Sequence, residues 1–384
     1  MTRTAESLEE RLATRSLPGA VRSLLGDDAT IATWESGPLT AQAVALDRDA
    51  SLLRFSGLAR KGREEVPWRL ILKVSAPTPG RENPDGGSYW RREADLYGTD
   101  TLSRLGEGVR APACHGSEII DGRLAWVWLA ELEDLLTRWP FARWGEVARR
   151  LGRFNGAHTP GSVAVFAPEA AASLSGERLR ATVERHEPLL ARIVAGADDP
   201  RVNHWWPRPI VDRIVDLWDR RRPLCDMLVA LPRGLVHGDA IRRNLFTDAR
   251  GDVVAIDWEC AGFAALGEEV GQLLSVATAF FDAETEDLPR LDDLIFASYL
   301  EGLRDVGWRG NECAVRFAYC AHAALRNIFN AVGTALANEA QQAHAVQRFS
   351  HPDQELARRR AEARPFLLAR ADEAWRLVIE GSTL

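Results

Sequence analysis

The sequence predicts an α+β protein of two unequal lobes, a small β-rich N-terminal lobe and a larger, mainly helical C-terminal lobe. Three observations lead there. Short β-compatible runs with turn-like separators occupy much of the first third of the chain. The apolar run Leu124 to Leu129 closes that third, and after about residue 131 the texture changes to long amphipathic helices. One compact β interruption, between residues 234 and 256, then breaks the helical part. The division falls between residues 1–131 and 132–384, with a connector near residues 130 to 134.

In chain order, residues 5 to 25 read as one or two short helices. Thr40 to Leu46, Leu52 to Ala59 and Trp68 to Val74 read as strands, and the Pro/Gly-rich Pro77 to Gly87 as a loop. Tyr89 to Leu105 reads as a helix and Leu124 to Leu129 as a buried strand. Phe141, Trp144, Ala148, Leu151 and Phe154 recur at helical spacing. Gly234 to His237, Leu245 to Thr247 and Val253 to Ile256 form the β interruption, turning at Asp248 to Gly251. Helices continue to the end, and no internal repeat is visible.

Bulk properties narrow the function. The chain has 384 residues, 46% hydrophobic and 27% charged, which suits a packed globular protein. A net charge of −7 argues against nucleic acid as a partner, because such proteins usually present a basic face. Five cysteines without CxxC spacing argue against a disulfide framework and a Cys-rich zinc site, and fit a reducing cytoplasm. The N-terminal stretch has no apolar signal-like segment, and no uncharged run approaches the roughly 18 residues of a membrane span. Of 48 basic residues only two are lysines, Lys61 and Lys73. Codon bias accounts for the total, but not for where these two sit.

The most informative stretch is residues 235 to 262, LVHGDAIRRNLFTDARGDVVAIDWECAG. His237, Asp239, Asn244 and Asp257 fall on short loops at strand ends, and the hairpin returns Asp257 beside Asn244. Two carboxylates and a carboxamide then surround one space. Such a set suits Mg²⁺, a hard cation that shares its shell with phosphate and water, and leaves one carboxylate to accept a hydroxyl proton.

HGDxxxxN followed by IDWE resembles the aminoglycoside phosphotransferase and choline kinase-like group of small-molecule kinases, which share the protein-kinase architecture. The resemblance implies an ATP- and Mg²⁺-dependent kinase acting on the hydroxyl of a small acceptor. It makes Asp239 the catalytic Asp, Asn244 and Asp257 the metal ligands, and His237 a loop-fixing residue. Arg242 and Arg243 would neutralise the transferring phosphoryl or recruit a phosphorylated substrate; the alternative is solvent, or a pair with Asp248. Glu259 would touch metal or loop backbone, or serve a surface role.

Alternation along Trp68 to Val74 sets Trp68, Leu70, Leu72 and Val74 on one face and Ile71 with Lys73 on the other. The strand resembles the kinase strand whose Lys contacts the α/β-phosphates and pairs with a helix Glu. Ile71 and Lys73 would then face the cleft, with Glu93 as the partner and Asp95 as second choice. Arg is a poor substitute for the compact ammonium there. Lys61, in a turn, reads as surface. By the same resemblance the backbone near Leu129, Glu131 and Leu132 is the hinge that bonds adenine.

The family pattern is incomplete. No GxGxxG precedes Lys73, and either Ser36 to Thr40 or Asp47 to Ser51 could cover the phosphates. Residues 240 to 243 are Ala-Ile-Arg-Arg, where the family commonly has a His-Pro-Gly-like stretch. Residues 268 to 293 hold Glu268, Glu269, Asp282, Glu284, Glu286, Asp287, Asp292 and Asp293 against Arg290 alone. Lining the pocket, they would attract a cationic acceptor; the simpler reading is a solvated helix and loop. Trp139, Trp205 and Trp206 are candidate stacking platforms. The rival functions are a nucleotide-binding pseudokinase with a regulatory role and a kinase-like enzyme acting on a macromolecule. The missing APE motif and the Trp-Glu after Asp257 favour a small acceptor. The acceptor's identity and the oligomeric state are not encoded in any motif.

Overall fold

The computed structural model describes residues 8–39, 50–133, 138–184, 186–195, 206–248, 251–279, 282–335 and 353–380. The N-terminal part begins with helix α1 (Leu8–Leu25), followed by strands β1 (Thr30–Pro38), β2 (Ala50–Lys61) and β3 (Glu64–Ser75). Two short helices, α2 (Arg92–Gly98) and α3 (Thr101–Arg104), lead to β4 (Val109–Arg110), β5 (Cys114–Ile120) and β6 (Leu124–Ala130). A five-stranded antiparallel sheet takes the order β1-β2-β3-β6-β5. Its two faces follow the alternation. Phe55, Trp68, Leu70, Leu72, Val74, Trp126 and Trp128 pack on Leu17, Ala20 and Val21 of α1. Ile71, Val127 and Leu129 face the other way and join the main core.

Several details depart from expectation. The helix predicted over Tyr89 to Leu105 is broken in two. Asp100 takes a left-handed φ of 55°, and the Thr99 hydroxyl bonds back to the carbonyls of Asp95 and Leu96, competing with helical continuation. Strand β1 was not predicted, because it is mostly exposed and lacks the apolar alternation that marks a strand. Lys61 does more than meet solvent: its ammonium donates to the Leu25 carbonyl, 2.6 Å away, at the last residue of α1. Thr40 to Leu46 and most of Asp47 to Ser51 lie outside the described residues, and Ser36 to Pro38 complete β1.

The C-terminal part is helical: α4 (Phe141–Ala157), α5 (Pro160–Phe166), α6 (Pro168–Ser173), α7 (Arg178–Glu184), α8 (Glu187–Ala195) and α9 (Arg208–Ala230). Strands β7 (Arg233–Val236), β8 (Leu245–Thr247), β9 (Val253–Ala255) and β10 (Gly262–Ala265) interrupt it. After them come α10 (Glu268–Val276), α11 (Leu288–Asp305), α12 (Glu312–Ala335) and α13 (Asp353–Ile379). β8 and β9 form the expected hairpin, β4 joins β9 in parallel, and β7 pairs with β10. Trp144, Ala148, Leu151 and Phe154 of α4 are buried as their spacing requires. Trp139 and Trp206 are buried too, which removes them as open stacking platforms; Trp205 lies outside the described residues. No helix among the described residues is long and apolar enough to cross a membrane, and all five cysteines are free.

Helices α4 and α11 approach closely at glycines. A Cβ on Gly152 would stand 2.3 Å from the Tyr299 carbonyl oxygen, and one on Gly302 2.0 Å from that of Arg149. Both obstacles are backbone, so the helices themselves must separate. Gly152→Ala is therefore expected to destabilise the protein by about 1–3 kcal/mol, against the gain in helix propensity that Ala normally brings. Thermal denaturation checks this; an unchanged or raised Tm would mean that the helices adjust freely.

Candidate active site

β7 delivers the loop His237-Gly238-Asp239 from the core. Gly238 has φ 78°, and a Cβ there would sit 2.1 Å from the Cys260 carbonyl oxygen, so the turn demands glycine. Glu269 of α10 holds the loop from below. Its carboxylate accepts from the backbone N–H of His237 (2.7 Å) and Gly238 (3.0 Å) and from Asn155 Nδ2 (3.1 Å). Burial pushes the Glu269 pKa up, against these donors. His237 Nε2 donates to the Ile256 carbonyl (2.7 Å) and Nδ1 accepts from the Asp239 N–H (3.3 Å), which places a ring proton on Nε2. The imidazole ties the loop to Ile256, just after β9.

Three side chains converge on Asp239. Oδ1 accepts from Gln272 Nε2 (3.0 Å) and Arg326 Nη2 (3.1 Å), and Oδ2 from Asn244 Nδ2 (3.1 Å). Arg326 Nη1 also donates to the Gly238 carbonyl (2.7 Å). Asn244 stands on a single 3₁₀ turn, Arg242–Asn244, and its Nδ2 also reaches the Asp239 carbonyl (3.0 Å). With its amide N–H groups turned to Asp239, Asn244 keeps Oδ1 as an oxygen donor. The Ile256 N–H bonds the Asn244 carbonyl (2.9 Å), so Asp257 follows directly alongside.

Asp257 occupies the left-handed region, φ 68°, a conformation costly for most non-glycine residues. It aims Oδ1 at Lys73 Nζ, 2.6 Å away. Lys73 also meets Glu93 Oε2 at 2.5 Å, and Glu93 Oε1 accepts the N–H of Trp258 (3.2 Å). Asp95 points elsewhere, to Arg91 at 2.8 Å. Burial opposes the Lys73 charge, but the Asp257 and Glu93 carboxylates outweigh it and hold the pKa above the ordinary lysine value. Burial likewise works against the Asp257 carboxylate, and the Lys73 ammonium overrides it, holding Asp257 below the usual range.

Glu259 meets Arg81 of the Pro/Gly loop at 2.5 Å. Burial, and then repulsion from Asp257, push its pKa up to about 7. Arg92 of α2 is fully buried and donates to the carbonyls of Pro84, Gly86, Ser173 and Glu259, joining segments from both lobes.

Other predicted residues are distributed as follows. Ile71 and Leu129 are buried and paired across β3 and β6. Glu131 is engaged by Arg54 at 2.5 Å, and Leu132 follows half-buried. Arg242 is buried and Arg243 lies 4.0 Å from Asp282; neither is among the partners of Asp239. Asp248 is engaged by Arg110. The acidic run is largely turned inward: Glu268 meets His322, Asp292 meets Arg316 and Arg370, and Glu284 meets Arg138 and Arg359. It does not form an open acidic wall.

Arg326, Gln272 and Glu269 escape sequence reasoning. They lie 87, 33 and 31 residues from the groups they hold, and no local spacing marks them.

Among the described residues, no three His, Cys, Asp or Glu side chains gather into a metal site. One carboxylate and one carboxamide oxygen are a partial donor set, of the kind completed by phosphate oxygens and water.

A profile of a phosphotransferase enzyme family, APH, matches residues 90–310. No curated protein matches the chain. Among solved structures, an ethanolamine kinase of Plasmodium vivax is 12% identical with a TM-score of 0.54, over 95% of this chain and 91% of that one. A putative aminoglycoside phosphotransferase from Ralstonia eutropha is 14% identical with a TM-score of 0.50, over 93% and 98%. At such identities the likeness speaks to the fold, which is protein kinase-like.

Proposed function

We propose, from the premise that this chain belongs to the phosphotransferase enzyme family, that it transfers the γ-phosphate of ATP to a hydroxyl of a small molecule, with Mg²⁺ as the metal. The observation that carries the reading is the Asp239 carboxylate, fixed by Gln272, Arg326 and Asn244 beside the Lys73–Asp257 pair. In this reading residues 1–131 cover the nucleotide and residues 132–384 carry the chemistry. Asp239 orients the acceptor hydroxyl and takes its proton. The hydroxyl oxygen bonds to the γ-phosphorus as the bond to the β–γ bridging oxygen breaks, and ADP leaves with that electron pair. Lys73 holds the α/β-phosphates, positioned by Glu93, with Ile71 and the stretch Leu129 to Leu132 around the base. Asn244 Oδ1 and Asp257 would hold Mg²⁺, which supplies charge neutralisation on the phosphate oxygens when bound. Arg242 and Arg243, on the turn that carries Asn244, would neutralise charge on the transferring phosphoryl.

The test is Mg²⁺-dependent ADP release against a panel of hydroxylated amines, sugars and antibiotics, with each product checked by mass for one added phosphoryl group. Nucleotide binding without ADP release on any acceptor would overturn the reading in favour of a regulatory nucleotide-binding protein.

A further inference from the structure

A cleft opens beside Gly238 and is walled by α7, β10, the end of α9 and one face of α12. Gly238 and Arg326 both line it, and Arg326 grips Asp239, so the cleft lies beside the candidate catalytic loop. Its charge is the unexpected property. Arg180 is paired with Glu177 and Asp226 and Arg326 with Asp239, and the buried Glu268 carboxylate is held by the Ala265 N–H and His322 Nδ1. That leaves Arg178 and Arg233. Arg178 donates to the carbonyls of Ser173 and Leu174 (2.8 Å each), and Arg233 to those of Phe263 and Gly176. Among the described residues neither meets a carboxylate, and Arg178 Nε is buried without a partner.

These are not surface cations. A Cβ on Gly262 would fall 1.7 Å from Arg178 Nη1, so β10 carries glycine where the guanidinium lies. Arg92 stands close behind, bonded to carbonyls alone. Burial pushes the Arg178 pKa down to about 9, and repulsion from Arg92 and Arg233 adds to it. Gathering like charges in a partly buried wall is costly unless an anion joins them. At the Asp239 end, His322 sits one helical turn before Arg326; Glu268 fixes its Nδ1 at 3.0 Å, and its Nε2 is buried without a partner.

We propose that the acceptor is an anionic hydroxyl compound, carrying a carboxylate or a phosphate monoester that seats on Arg178 and Arg233 while its hydroxyl reaches Asp239 past His322. This rests on the kinase reading above and replaces the cationic acceptor suggested by the acidic run. An Arg pair is the usual receptor for such groups, because its planar forks match them and its charge persists.

The test uses the full chain saturated with Mg-AMP-PNP, which occupies the nucleotide site. Four three-carbon probes differ in charge: glycerate, glycerol 3-phosphate, glycerol and serinol. Melting shifts read their binding. At least one anion is expected to stabilise the protein saturably, and which one does so separates carboxylate from phosphate; glycerol and serinol should not. Arg233→Met should weaken the anion by roughly 10- to 100-fold and leave the Mg-AMP-PNP shift in place. The proposal fails if serinol or glycerol matches the anions, if neither anion binds the wild type, or if Arg233→Met binds the anion normally. Should that variant not fold, the ranking of the four probes on the wild type decides alone. Absence of the Mg-AMP-PNP shift itself would instead count against the kinase reading.

Discussion

Asp239→Asn is expected to bind Mg-ATP normally and to lose ~10²- to 10⁴-fold in kcat, the span associated with a positioned general base. The substitution is isosteric. An amide oxygen can still accept from Gln272 and Arg326, and Asn244 loses one bond but keeps the one to the residue 239 carbonyl, so the loop should hold its shape. What disappears is the capacity to take the acceptor's proton. Steady-state ADP release, with nucleotide binding read separately by melting shift, checks both halves. A kcat within about threefold of wild type would remove Asp239 from the chemistry, since even the low end of the range is ~10²-fold.

Asp257→Ala is expected to abolish the Mg²⁺-dependent part of nucleotide binding and, with it, measurable turnover. The variant removes an oxygen donor next to Asn244 and one of the two carboxylates on Lys73. Glu93 remains at 2.5 Å, so the buried ammonium is not orphaned and the fold should survive. Backbone conformation needs its own control, because residue 257 is left-handed. Asp257→Asn supplies it: Asn tolerates that region and keeps one oxygen, and should retain weak metal dependence. Titrating Mg²⁺ at fixed ATP reads the outcome, and an unaltered Mg²⁺ response in Asp257→Ala would exclude the residue as a ligand.

Much of this arrangement was legible because its signals are local. The turn at Asp248 to Gly251 and two short apolar runs define the hairpin that returns Asp257 toward Asn244. Alternation along β3 separates Lys73 from the Trp68 face, and the scarcity of lysine draws attention to it. Glu93 comes only from the resemblance to the kinase strand whose Lys pairs with a helix Glu, with Asp95 as second choice. Other features carry no local signal. β1 is exposed and lacks alternation, so burial could not announce it. The break at Asp100 is a contest between a hydroxyl and the helix ladder, settled over a few residues. Arg326 comes to Asp239 from α12, 87 residues downstream. In a chain with 48 basic residues, nearly all of them Arg, nothing distinguishes that one until the helix is docked.

The acidic run shows the same limit from the opposite side. Composition suggested a negative wall, but Glu268, Asp282, Glu284 and Asp292 each meet a basic partner from another element. The cations that line the cleft without a carboxylate partner among the described residues are Arg178 and Arg233, which lie in segments without any acceptor motif. Net charge along a stretch of sequence therefore predicts poorly what a pocket presents.

Arg92 bears on how the molecule can move. One guanidinium is fastened to carbonyls on both sides of the cleft and acts as a rivet through it. Drawing the halves apart would exchange its bonds to the Ser173 and Glu259 carbonyls for bonds to water, at a net cost of about 1.5–3 kcal/mol for each. A clamshell cycle, swinging wide for every substrate, would meet that barrier on each turnover. Smaller excursions of the rim, around a gap whose width is already set, leave the rivet in place. Arg92 thus works as the pin of a vice, setting the gap between the two parts of the chain from buried backbone carbonyls rather than from the rim.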